Sequence, residues 1–452
     1  MKKILPIQHL REEISVPGDK SISHRAIMLS SLADTPVEIT NFLAGADCFS
    51  TINCMKSFGV NIQTYGDKIF VLGNGLFGLR EPDNVLDAGN SGTTLRLLMG
   101  LTAPQNFLTT FTGDASLRNR PMDRVITPLT EMGASIVGRN DNKNLPITVL
   151  KPARKFHGIT YKMPVASAQV KSAIILAALY ADNPTTIIEP APSRNHTEKM
   201  LSAFGAQIET NGNEIRIFPA ENLTAPEKII VPGDISSAAY WLVLATILEN
   251  TNVTIRNVGV NETRTGIIDV LKMMGARIEI MNRRESGGEL TADLNVESSK
   301  LHGVEFGGKF IPRLIDEIPA IAVAAAFAEG DTIINDVSEL RVKESDRLAA
   351  VAGMINSIGG HVETGEDSLT IYPVNHFNGG TVDACGDHRI AAYYLKGTEP
   401  TEACKKHTNT TPQSIGKSRL EQEAVISGWA YQGNEEEDDL SVDLDFLEEK
   451  TE

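Results

Sequence analysis

Four cysteines in 452 residues, Cys48, Cys54, Cys385 and Cys404, fall at spacings that match no zinc or redox motif. Free thiols are therefore expected, and neither a disulfide framework nor a metal site. The opening "MKKILPIQHLREE" has no apolar run long enough for a signal peptide, and no later stretch is both apolar and long enough to span a bilayer, so a cytoplasmic chain without a membrane partner is expected. Positive charge is scarce too. The net charge is −16, and the terminal "GNEEEDDLSVDLDFLEEKTE" supplies nine of those negative charges through ten acids and one lysine. Nucleic-acid affinity is not indicated, and residues 433–452 read as an acidic disordered tail. No glycine-rich phosphate loop ending in Lys-Ser/Thr is present, which excludes that nucleotide-binding mode.

What the chain does have is length, with 41% hydrophobic and 22% charged residues, enough for two ordinary cores. It also has an internal repeat. An amphipathic helix, a glycine with a small or β-branched residue, a short strand, a polar turn and a second strand recur around Gly59, Gly133, Gly205, Gly275 and Gly359. Between these lie segments that are apolar or small on every side: "SHRAIMLSSLA", "GTTLRLLMGLTA", "AQVKSAIILAALYA", "SSAAYWLVLATIL" and "EIPAIAVAAAFA". A helix apolar all round is buried all round. Two α/β domains of three modules each are expected, with sheets outside a core of parallel helices. "GDHRIAAYYL" opens a sixth central helix that Lys396 and Gly397 stop after about two turns, so the sixth module reads as incomplete.

Charged and hydroxyl residues gather where these buried helices begin. "PGDKSISHR" places Lys20 and Ser21 in a first helical turn with Arg25 four residues beyond Ser21. "GNSGTTLR" opens a helix with Asn90 and Gly92 and sets Arg96 a turn deeper; "VASAQVKSA" offers Ser167, Gln169 and Lys171 in similar places. Each alone reads equally as a helix cap beside a surface cation. Repeated at equivalent module positions, they point to helix N-termini and cations holding several anionic groups. In the second half, "PRLIDEIPA" brings Asp316 and Glu317 to a helix mouth, "RVKESDR" sets Lys343 and Arg347 four apart with Glu344 beside them, and "GDHRI" adds His388 and Arg389. A salt-bridged surface helix would give the same spacing in "RVKESDR".

The motifs "GDKSISHRA", "LDAGNSGTTLR", "RNRPMDRV", "SAQVKSA", "IPRLIDEIPA", "RVKESDRL" and "GDHRIA", in this order over residues 1–391, closely resemble the 3-phosphoshikimate 1-carboxyvinyltransferase family. The resemblance implies a two-domain inverted α/β barrel, each domain a threefold of βαβαββ modules. It implies one domain from 1–17 and 235–432 and another from 18–234, with crossings near Val16 to Asp19 and Gly233 to Ser236. The implied activity is transfer of the carboxyvinyl group of phosphoenolpyruvate to the 5-hydroxyl of shikimate 3-phosphate, by a monomer with no metal or organic cofactor.

By the same resemblance, Lys20, Ser21, Arg25, Ser167, Gln169, Ser193, Arg194, Asp316 and Lys343 are ligands of shikimate 3-phosphate. Lys20, Asn90, Gly92, Arg120, Gln169, Arg347 and Arg389 are ligands of phosphoenolpyruvate, with Arg96 in support. Asp316 is the base, Glu344 the proton shuttle at the methylene carbon, and Lys20 assists at that centre. The inhibitor glyphosate is expected beside Gly92. The related transferase acting on a nucleotide sugar carries a cysteine in the loop "GDASLRNRPMD", and none is there. After Ala391 the chain leaves the family pattern; Lys405 and Lys406 are the nearest replacements for a closing lysine. That departure admits a second reading, a folded member that binds ligand with impaired turnover, and it sets expectations of weakened phosphoenolpyruvate binding and a second domain that melts before the first.

Overall fold

The computed structural model describes residues 3–4, 13–66, 68–342, 345–374, 377 and 431–432. Lys343, Glu344, His388, Arg389, Lys405, Lys406, the sixth central helix and the acidic tail lie outside the described residues, and with them the expectations about the sixth module.

Ten helices of eight residues or more occur among the described residues: α1 (Lys20–Ser31), α2 (Ala46–Ser57), α3 (Gly92–Thr102), α4 (Asp123–Glu131), α5 (Ala168–Ala178), α6 (His196–Ala203), α7 (Ile235–Ile247), α8 (Gly266–Met273), α9 (Ile318–Ala326) and α10 (Arg347–Ser357). The odd-numbered helices, apart from a few positions, are buried on every side, as Ile22 to Ser31 are in α1. The even-numbered ones bury one stripe, such as Cys48, Thr51, Ile52 and Met55 in α2. No helix among the described residues is long and apolar enough to cross a membrane.

Among the described residues, five four-stranded sheets flank the helices, each with one parallel pair followed by two antiparallel pairings. In one of them Leu86–Asp87 lies parallel to Thr109–Thr112, which pairs antiparallel with Asn144–Leu150, itself antiparallel to Ser135–Gly138. Burial alternates along such strands, as in Lys68–Leu72, so one face covers helices and the other meets water. This is the inverted arrangement that the helix composition requires: the most apolar elements are helices, and the half-apolar strands go outside.

The repeated glycines end the outer helices. Gly59, Gly133, Gly205, Gly275 and Gly359 all have φ between 84° and 113°. Each donates its N–H three residues back, and the next residue donates five back, as Gly205 does to Ser202 and Ala206 to Leu201. These paired bonds satisfy the last helical carbonyls and turn the chain into its strand.

Two hydrophobic cores result, one built from residues between Ile22 and Val231, the other from Val16 and residues between Ile235 and Ile371. The chain passes between them twice at one place. Gly18 and Gly233 form an antiparallel bridge, with the Asp19 N–H donating to the Pro232 carbonyl at 2.7 Å and the Asp234 N–H to the Pro17 carbonyl at 2.8 Å. Each passage leaves a strand behind: Glu13–Ser15 pairs with Asn252–Gly259, and Lys228–Ile230 with Pro36–Thr40. Beside the passage His196 of α6 meets Glu289 at 2.8 Å, and Asn261 donates to Asn195, also at 2.8 Å.

A β-carbon added at Gly205 would meet no atom within 4 Å, so Gly205→Ala tests backbone conformation alone. It is expected to cost about 1 kcal/mol, the penalty for an L-residue at positive φ. Gly100→Ala, whose β-carbon would lie 2.2 Å from the Ala173 carbonyl oxygen where α3 crosses α5, is expected to cost clearly more. Urea denaturation of both variants checks the order; equal midpoints would refute it.

Candidate active site

α1 starts at Lys20 because the Asp19 side chain accepts from the Ile22 N–H at 2.9 Å. α3 starts at Gly92 with Ser91 as its cap, and α5 at Ala168 with Ser167 as its cap. Side chains of α3 and α5 touch near their starts, and Arg25 of α1 reaches Ser172 of α5. Gln169 accepts from Arg96 at 2.8 Å and donates to Thr93 at 3.0 Å. The positive ends of α3 and α5 therefore open beside each other.

Arg25 is buried, donating from Nε to Thr197 at 2.7 Å, from Nη2 to Ser172 at 2.8 Å and from Nη1 to the Ser21 carbonyl at 2.9 Å. Burial pulls its guanidinium down to about 10, against the opposing pull of Glu198 and Asp19. Ser172 and Thr197 escaped the sequence reading. Hydroxyls that orient an arginine carry no charge signal, although both lie inside stretches already singled out. Lys20 pairs with Asp47.

Gly92 sits under two arginines. A β-carbon on it would lie 2.6 Å from Arg96 Nη1 and 3.5 Å from Arg120 Nη1. Arg120 donates to Asn90 Oδ1 at 2.9 Å, and Asn90 donates in turn to Asp114. Burial first, then repulsion from Arg120 and Arg124, brings Arg96 down to about 10. Glycine, amide and two guanidiniums form a cationic cradle whose floor has no side chain.

The second core contributes Asp316, one residue before the N-cap of α9. Its two carboxylate oxygens are gripped by two arginines: Oδ1 by Arg347 at 3.0 Å and Oδ2 by Arg194, which comes from the other core. Ser193 lies beside Arg194 and donates to Glu189. Asp316, Arg194 and Arg347 thus meet at the junction of the two halves.

One sequence reading needs correction. Lys171 is no open cation: its ammonium is 1% exposed and bonded to Glu189 at 2.9 Å and Glu198 at 2.7 Å. Position 171 falls a full turn inside α5, where burial demands carboxylate partners. α10 begins at Arg347, with Asp346 capping it through the Ala349 N–H at 3.1 Å, and the spacing of Lys343 against Arg347 falls outside the described residues.

A family model described as EPSP synthase (3-phosphoshikimate 1-carboxyvinyltransferase) matches residues 4–398. A 3-phosphoshikimate 1-carboxyvinyltransferase of Thermoanaerobacter sp. (strain X514) is 56% identical over 382 residues, covering 84% of this chain and 89% of that one. The enzyme of the same name from Desulforudis audaxviator is 51% identical over 390 residues, covering 86% and 90%. A solved EPSP synthase from Acinetobacter baumannii superposes with a TM-score of 0.80 at 40% identity, covering 86% of this chain and 89% of that one. With fold, motif order and sequence in agreement, the chain belongs to the EPSP synthase (3-phosphoshikimate 1-carboxyvinyltransferase) family.

Proposed function

We propose that this chain transfers the carboxyvinyl group of phosphoenolpyruvate to the 5-hydroxyl of shikimate 3-phosphate, releasing phosphate, as a cytoplasmic monomer that uses no metal or organic cofactor. The observation that carries the reading is the junction itself: the carboxylate of Asp316 held between Arg194 and Arg347, within a site whose other walls are helix N-termini and cations. Two polyanions repel, and the repulsion grows as water leaves. Only a site with cations on several sides can bring them together, which explains a cationic interior in a chain of net charge −16.

In this reading Ser21, Arg25, Ser167, Gln169, Ser193, Arg194 and Lys343 bind shikimate 3-phosphate, while Asn90, Gly92, Arg120, Arg347 and Arg389 bind phosphoenolpyruvate. Gln169, already bonded to Arg96, reaches both sets. Arg194 and Arg347 hold Asp316 through the same guanidinium forks that would hold substrate anions. Substrates taking over those forks would release the carboxylate to accept the proton of the 5-hydroxyl as its oxygen attacks the central carbon of phosphoenolpyruvate. Glu344 delivers a proton to the methylene carbon, assisted by Lys20. The tetrahedral adduct then loses phosphate as the same carbon gives the proton back. Binding by both halves implies closure on the substrates.

Three outcomes check this assignment. Asp316→Asn keeps the shape and is expected to hold shikimate 3-phosphate within a few-fold while turnover falls about 10²- to 10⁴-fold, the usual worth of a general base. Phosphate release and calorimetry on the same preparation separate the two effects. A wild-type chain that binds both substrates but releases no phosphate would instead be the ligand-binding member with impaired turnover.

Arg25→Ala is expected to weaken shikimate 3-phosphate by about 1.5–3 kcal/mol, as for a lost charge-assisted hydrogen bond. Unchanged affinity in calorimetry would remove Arg25 from the site. Gly92→Ala would push Arg96 off Gln169, and is expected to raise both the KM for phosphoenolpyruvate and the glyphosate concentration for half-inhibition, the latter at least about tenfold, or 1.4 kcal/mol. Identical inhibition curves would place glyphosate elsewhere.

A further inference from the structure

The segment Val-Pro-Gly-Asp-x-Ser occurs twice, as residues 16–21 and 231–236. These are the two passages between the cores, paired antiparallel as described. Each aspartate also caps a central helix: Asp19 accepts from the Ile22 N–H and Asp234 from the Ser236 N–H, both at 2.9 Å. The first helices of the two halves therefore begin back to back, with their carboxylates buried side by side. Glu317, at the N-cap position of α9, joins them through the Ser236 hydroxyl. Three buried carboxylates in one place repel each other unless a cation stands between them.

Arg264 is that cation. It lies in the loop before α8, 3% exposed. Its Nη1 donates to Asp19 at 3.3 Å, and its Nη2 to Asp234 at 3.3 Å and to the Ser236 hydroxyl at 2.8 Å, with Glu317 at 3.6 Å. Burial opposes the charge, yet Asp19, Glu317 and Asp234 together hold the guanidinium above its ordinary value. Asp19 itself is raised, by burial and then by Asp234.

The residues that Arg264 grips are the covalent neighbours of the proposed chemistry. Asp19 precedes Lys20 on one half, and Glu317 follows Asp316 on the other. We propose that Arg264 is a positioning residue for the transfer reaction, its forked guanidinium fixing Lys20 of one half against Asp316 of the other. This rests on the function proposed above. If Arg264 only offset buried charge, any cation at the same depth would serve. A fork that registers two helix starts cannot be replaced by a point charge, and misplacement by about 1 Å can cost about a hundredfold in rate.

The test compares Arg264→Lys and Arg264→Ala with the wild-type chain, using shikimate 3-phosphate and phosphoenolpyruvate and reading phosphate release. The lysine variant is expected to fold, to keep both KM values within about threefold and to lose at least about tenfold in kcat, a loss of transition-state rather than ground-state contacts. Guanidinium at millimolar concentration is expected to restore part of the kcat of Arg264→Ala, and ammonium is not. A lysine variant with wild-type kcat, equal rescue by both cations, or failure of both variants to fold would overturn the positioning role. An inactive wild-type chain would overturn the function proposed above, and this inference with it.

Discussion

Everything in this molecule hangs from the place where the chain crosses twice between its two cores. Asp19 and Asp234 donate backbone N–H groups to Pro232 and Pro17 and at the same time cap α1 and α7 with their side chains. Backbone pairing at the crossing thus decides where two central helices start. Gly18 is obligatory there, since a β-carbon on it would lie 2.0 Å from the Asn41 carbonyl oxygen. The close approach forces carboxylates together in a dry place, and Arg264 is the structural answer to that repulsion.

From the crossing the chemistry follows by geometry. Helices buried on all sides must run through the middle, where Arg96 of α3 meets Gln169 of α5 and Arg25 of α1 meets Ser172 of α5. The N-terminal end of each such helix carries partial positive charge. Arginines stand among them, and burial lowers Arg25 and Arg96 to about 10, a value still well above neutral pH. Arg25 and Arg96 therefore remain charged while most of the chain's surplus acid stays in its final twenty residues. Asp316 enters this field from the other half and satisfies two of its guanidiniums.

The balance of stability and function is visible in how polar groups are handled away from the crossing. Lys171 is bonded to Glu189 and Glu198, and His196 to Glu289. Arg25 instead donates its hydrogen bonds, among the described residues, to two hydroxyls and a carbonyl, with Glu198 and Asp19 acting on it through space. A cation oriented by neutral acceptors is available to a phosphate; one gripped by two carboxylates is not.

The repeat, the alternation of buried and amphipathic helices and the clustering of Lys20, Arg25, Asn90, Gly92 and Gln169 at helix starts were legible in the chain, because 3.6-residue periodicity, glycines at helix ends and capping residues are local properties. The motif order was enough to identify the family. Ser172 and Thr197 were not legible as supports for Arg25, nor Lys171 as a buried partner of two glutamates, because those roles depend on which side chains arrive from segments 18 to 172 residues away. The duplicated Val-Pro-Gly-Asp-x-Ser is plain in the chain, yet its meaning is not: no periodicity says that two copies 215 residues apart pair back to back around an arginine from a third segment. The sequence by itself determined the modules, the helix starts and the chemical kinds of residue placed there. Only the tertiary structure decided which charges face substrate and which are cancelled, because that depends on desolvation and on distances between groups the chain brings together last.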